Sequence, residues 1–364
     1  MKKPFFFLFL CLALHPLLAQ GPYTVCLDGG GSKTAMQVLD NAGSPVILTL
    51  EDQTGVEVVA GGSNINVVGE SGVRLVVNKL LQATVIDGER QSLVKDLAAD
   101  GWVYAGMAGV GSPEREAAVC AILQDGGFDP ARILVTSDAA MALRSVPGDG
   151  MVLIAGTGSI CLAKKDGVTY RVGGLGRILG DEGSGYELGL LAIQAALAAE
   201  YGWGKPTALT EALKEHFKVD ALRLIIPGVN TCLYASRDIA AVVPIVCRLA
   251  KQDDAVAREV LHATAGRMVA LVDRMVQYAG LSRGTVHCVG GLFKSPFQEE
   301  FLACIRYQLV ERRKSALIVE NKAHEHPAVV YAQQGVSSIY RTSLSKRPEH
   351  LTKDVTTSTD GSEA

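Results

Sequence analysis

Three short apolar runs, residues 23–27, 151–155 and 285–289, each break into glycines: Asp28-Gly29-Gly30-Gly31, Gly156-Thr157-Gly158 and Gly290-Gly291. Apolar runs bounded by turn signals read as buried strands. A strand that ends in glycine lets backbone N–H groups approach an anion, because no Cβ stands in the way. Three such bends imply one extended polyphosphate ligand. Further strands are predicted at 38–40, 45–50, 103–105 and 133–136. Helical periodicity is clearest at 71–83, 113–124, 188–201, Ala255–Ala279 and 296–312. Strands alternating with helices predict an α/β architecture.

A chain of 364 residues exceeds one comfortable core and predicts two lobes with a cleft between them. Residues 139–144 are helical in pattern and run into Pro147-Gly148-Asp149-Gly150, which places the lobe boundary there. The expected organisation is a first lobe over 21–148 and a second over 149–325, with a helix near 326–341 packing back on the first lobe and a polar, disordered tail over 344–364. Both halves open on a strand and a glycine hairpin, the mark of a duplicated lobe. The composition, 48% apolar and 20% charged, is globular, and a net charge of −3 without a long basic run supplies no groove for DNA or RNA. Eight cysteines are scattered singly and are expected to be buried reduced thiols. Lys2 and Lys3 followed by the apolar stretch 5–14 give residues 1–20 the form of a secretory leader, too short for a membrane span. No stable membrane association is expected, and a homodimer is left open.

The first bend, Asp28-Gly29-Gly30-Gly31-Ser32-Lys33-Thr34, offers a carboxylate for a hydrated Mg²⁺, glycines and hydroxyls for phosphate oxygens, and a lysine to neutralise charge. It is not a Walker P-loop, because Ser32 stands where GxxxxGK[ST] wants a glycine. Gly156-Thr157-Gly158-Ser159 offers similar tools, and Gly290-Gly291 can let the adenosine end of a nucleotide lie against bare backbone. For each the alternative is a plain hairpin turn. The segment from Gly173 to Tyr186 sets Asp181 and Glu182 among many glycines, an entropic burden that a close-fitting ligand loop explains better than a surface loop does. Asp138, after the strand at 133–136, is either a base for phosphoryl transfer or the N-cap of the helix from Ala139. Asn64, in Gly61-Gly62-Ser63-Asn64, can pair with vicinal hydroxyls or simply cap the helix that follows. His324-Glu325-His326 lacks zinc-site spacing and is expected to be a surface cluster, and His287 a core residue.

In this order, DGGGSKT, AGTGS, LGDEGSGY, VGGLF, SDAAMAL and HPAVVYAQQG resemble the BadF/BadG/BcrA/BcrD-type ATPases and, among them, the N-acetylglucosamine kinases, from about Tyr23 to Tyr340. The resemblance implies two ribonuclease-H-like lobes of the actin-like ATPase superfamily closing on Mg-ATP and a sugar, phosphorylated at its 6-hydroxyl. It assigns Asp138 as catalytic base and Asp28 as the Mg²⁺-linked acid. ATP falls to Gly29, Gly30, Gly31, Ser32, Lys33, Thr34, Gly156, Thr157, Gly158, Ser159, Gly290 and Gly291, and the sugar to Asn64, Asp138, Gly174, Leu175, Asp181 and Gly185. Leu175 stands where kinases of this group often carry an aromatic, which removes a flat platform for the sugar. Use of ATP and unpatterned cysteines imply a cytoplasmic protein, with export, from the leader, as the alternative. The rival functions are an ATP-driven activator of a reductase, which lacks a suitably glycine-flanked cysteine here, and a non-catalytic sensor of the same fold.

Overall fold

The computed structural model describes residues 23–87, 90–97, 100–312 and 316–338; the leader at 1–20 and the tail at 344–364 lie outside them. The chain runs through β1 (Thr24–Gly29), β2 (Lys33–Leu39), β3 (Ile47–Leu50), β4 (Gln53–Gly55), β5 (Val58–Gly61), α1 (Ile65–Leu80), β6 (Thr84–Asp87), β7 (Arg90–Leu93), β8 (Trp102–Met107), α2 (Pro113–Asp125), β9 (Ile133–Thr136) and α3 (Asp138–Arg144). It continues through β10 (Gly150–Ala155), β11 (Ser159–Lys165), β12 (Val168–Gly173), α4 (Gly185–Glu200), α5 (Ala255–Ala279), β13 (Arg283–Val289), α6 (Gln298–Arg306), β14 (Ala316–Asn321) and α7 (Pro327–Ser338), with shorter helices between.

Two five-stranded sheets share one plan. The first has the order β5-β2-β1-β8-β9 and the second β12-β11-β10-β13-β14. In each, a central strand pairs antiparallel with the strand that follows it and parallel with a later one: β1 with β2 and β8, β10 with β11 and β13. These are the two lobes of the α/β fold. Central strands are covered on both faces, which is why Val25, Cys26 and Leu27, and again Met151, Val152 and Leu153, form unbroken apolar runs with no alternation. A four-stranded sheet, β4-β3-β6-β7, extends the first lobe.

Helix α3 joins the halves. Its Met141 enters an apolar cluster with Cys26, Leu39 and, from α7, Ala328, Val329 and Ala332. Its Ala139, Ala142 and Leu143 pack with Val152 and Leu162 of the second sheet. Helix α7 thus returns to the first sheet, and Gln334 ties it to α3 by donating to the Ser145 carbonyl at 2.8 Å. The predicted helix 71–83 is in fact α1, which starts at Ile65 and kinks at Gly69 (φ 65°). Among the described residues, no helix is long and apolar enough to cross a membrane. Cys26, Cys161, Cys247 and Cys288 are buried, Cys120 and Cys304 are half-buried, and Cys232 is exposed, so the expectation of buried thiols holds for four and fails at Cys232; Cys11 lies outside the described residues. Cys232 falls in a left-handed turn (φ 63°) outside any sheet or core helix.

Candidate active site

Strand parity decides where Asp28 points. Cys26 lies in the cluster beneath α3 and α7, and Asp28, two residues on, shares its face. Asp138 occupies the first turn of α3, so both carboxyls lie where the first sheet meets the helix that links the lobes. Capping does not consume Asp138. Ser137 is the N-cap, its Oγ accepting from the Ala140 N–H at 3.1 Å, a bond worth about 1 kcal/mol. Asp138 accepts from the adjacent Ala139 N–H, at 2.9 Å, with its own N–H also acting on the carboxylate. Burial drives the Asp138 pKa up to about 6; the Ala139 N–H opposes this, and the nearby Asp28 carboxylate adds to it. Burial also raises Asp28, against the pull of His326, Lys294 and Lys33, while Glu57 reinforces the rise.

The first glycine bend is held from below. Ser63 donates its N–H to the Gly30 carbonyl at 3.0 Å, and Gly30 donates to Lys33 at 2.8 Å. A Cβ on Gly62 would stand 2.3 Å from the Gly31 oxygen, and one on Gly29 would stand 2.3 Å from Ser63 Oγ. Only glycine permits this stacking of backbone on backbone. Gly31, Ser32 and Lys33 are exposed at the rim. Thr34 is fully buried, its hydroxyl 2.8 Å from the Gly61 carbonyl and from Ser63 Oγ. It therefore braces the bend from beneath, away from any ligand on the rim.

The second and third bends meet because β10 and β13 are parallel neighbours. Gly290 (φ 107°) brings its backbone so close to β10 that a Cβ would stand 2.5 Å from the Ala155 oxygen. A Cβ on Gly156 would lie 3.9 Å from the Gly291 nitrogen. The loop before α4 is latched onto the second bend: Gly185 N–H donates to Gly156 at 2.7 Å and Tyr186 N–H to Thr157 at 3.1 Å. Ser159 Oγ donates to the Glu182 carbonyl at 2.6 Å, and Ser159 N–H to Asp181 Oδ1 at 3.3 Å. The carboxylate of Asp181, held at φ 58°, lies over Gly158, about 3.0 Å from where its Cβ would be. Burial raises its pKa. Ser159 and Gly185 are buried in this latch, whereas Gly174 is half-buried and Leu175 is exposed.

Asn64 caps α1, its Oδ1 accepting from the Asn66 N–H at 3.0 Å; the same oxygen lies against Gly109, 2.5 Å from where a Cβ would stand. The lobes approach each other electrostatically where Lys294, at the end of the single turn Gly291–Lys294, acts on Asp28. Sequence reasoning missed Lys294, and it missed His326. The expected surface cluster fails at His326, which is 6% exposed and turned toward Asp28, because α7 carries it onto the first sheet. His287 is buried, as a core residue of β13.

A carboxylate flanked by glycine bends and by a helix-borne acid is an arrangement suited to nucleotide-dependent transfer. The chain belongs to the BadF/BadG/BcrA/BcrD ATPase family, whose model matches residues 25–322. It is 30% identical over 267 residues to an N-acetylmuramic acid/N-acetylglucosamine kinase of Clostridium acetobutylicum, covering 72% of this chain and 82% of that one. It is 30% identical over 247 residues to glucosamine kinase GspK of Vibrio cholerae, covering 67% and 76%. Among solved structures, a candidate N-acetylglucosamine kinase of Chromobacterium violaceum shares the fold with a TM-score of 0.63 and 20% identity, over 86% of this chain and 99% of that one.

Proposed function

We propose that the protein is an ATP-dependent kinase that transfers the γ-phosphoryl group to the 6-hydroxyl of an amino sugar, N-acetylglucosamine in the first place. The observation that carries this reading is Asp138: a carboxyl freed from capping by Ser137, raised to about 6, and set between the lobes beside Asp28. A base near neutral pKa is what removal of an alcohol proton needs. Asp138 takes the proton as the sugar oxygen bonds to γ-phosphorus, and the bond from γ-phosphorus to the bridging oxygen breaks, releasing ADP. Gly31, Ser32 and Lys33 on the rim of the first bend, with Thr157 and Gly158 of the second, face the phosphate oxygens, while Gly290 and Gly291 leave room for the adenosine end.

Asp28 fits a cation held mainly by nucleotide and water: it is one carboxylate, and no cluster of three or more metal-ligating side chains occurs among the described residues. Mg²⁺ there would neutralise charge on the transferred group. Asn64, Gly174 and Leu175 are the sugar contacts of this reading. Asp181 orders the second bend through Gly158 and Ser159 and reaches the sugar only if the cleft narrows. Closure of the lobes excludes water, which would otherwise compete as acceptor.

The test is ADP release over a panel of N-acetylglucosamine, N-acetylmuramic acid, glucosamine and glucose. Release that depends on an amino sugar is expected. ADP release unaffected by every sugar would overturn the kinase reading.

A further inference from the structure

One buried polar side chain in the cleft has no part in the transfer just described. His326 is 6% exposed, and neither ring nitrogen makes a well-formed hydrogen bond among the described residues, although the backbone of Ala35 and of His326 itself lies close enough to act on the ring. Its position is fixed by its own backbone. The His326 carbonyl accepts from the Val330 N–H at 3.1 Å, and α7 is anchored by Ala328, Val329 and Ala332 in the cluster that contains Cys26. Around the ring stand the Asp28 carboxylate from β1, the Ala35 backbone from β2, paired in register with Asp28, and Glu57 ahead of β5. Among the described residues the ring makes no ion pair with Asp28, and the carboxylate acts on it from beyond ion-pair distance. An imidazole in its neutral form keeps one ring nitrogen able to accept.

A buried polar group left unbonded is destabilising, so folded chains rarely keep one without a partner in the working state. The partner here has to fit between a neutral imidazole and a carboxylate. A water on a divalent cation does so, since Mg²⁺ keeps several of its waters and groups beyond its direct ligands orient them. We propose that His326 is a positioning residue that accepts a hydrogen bond from a water of the cation held at Asp28 with the nucleotide. The proposal rests on the kinase reading only in that a divalent cation accompanies the nucleotide.

The test follows Mn²⁺, by the electron paramagnetic resonance of the free ion, titrated into the full chain with a non-hydrolysable ATP analogue. The parent is compared with H326L, H326N and H326Q, the last two offering a polar atom near Nδ1 or Nε2. Thermal melting and analogue binding in EDTA are measured alongside. We expect H326L to loosen Mn²⁺ about 10–100-fold, with melting and metal-free analogue binding preserved, and either H326N or H326Q to recover most of the loss. Parent-like Mn²⁺ binding in all three variants overturns the proposal. Equal loss in all three with lower melting also overturns it, as a packing role. If H326L does not fold, a difference between H326N and H326Q supports the proposal and equality overturns it. If the parent itself takes up no Mn²⁺ with the analogue, the kinase reading falls too; a parent that binds beside variants that bind equally sinks His326 alone.

Discussion

Asp138 sits where burial makes its charge unfavourable, and the sign of that effect gives two predictions. Its folded pKa, about 6, lies above the ordinary carboxylate range. The native state therefore holds this proton more tightly than the unfolded chain, and the associated stability is lost as pH rises from about 4 through about 6. At pH 7, Asp138→Asn removes the buried charge and should raise stability by up to about 2–3 kcal/mol, a gain of several degrees in melting temperature. A variant that melts lower than the parent would contradict this. Turnover needs the ionised form, so kcat should climb with pH along an acid limb near or below pH 6, a bound cation moving it lower. Flat kcat from pH 4.5 to 8 would remove Asp138 as base.

At the scale of elements, the glycine bends depend on backbone lying against backbone. Gly290→Ala places a Cβ 2.5 Å from the Ala155 oxygen at φ 107°. It should cost about 2–4 kcal/mol in stability and raise the KM for ATP at least tenfold, as unfolding and steady-state kinetics would show. The three bends are legible in the sequence because glycine after an apolar run is a local signal, and the central strands are legible because burial on both faces leaves an unbroken run. The role of Asp138 is only half legible. Ser137 and Asp138 are both favoured caps, and it takes coordinates to see that Ser137 does the capping. Asn64 illustrates the same limit: its residue type allows a cap, but periodicity places the helix start at 71, past the kink at Gly69, and so misses that α1 begins right after it. His326 is illegible because its burial depends on α7 packing against β1, a contact between the two ends of the described chain. The latch of Ser159 and Asp181 depends likewise on how one loop folds over another.

For the whole molecule, the question is whether two lobes of similar plan act on one nucleotide. Helix α3 is packed into both, and Lys294 of the second lobe acts on Asp28 of the first, so Asp138 and Asp28 sit at the junction of the two lobes, where the proposed transfer would run. The most direct measurement pairs calorimetric binding of Mg-ATP with N-acetylglucosamine-dependent ADP release, in the parent and in Asp138→Asn. The account predicts nucleotide affinity within threefold of the parent and turnover lower by about 10²–10⁴. Near-parental turnover in the variant, or loss of nucleotide binding along with turnover, would contradict it.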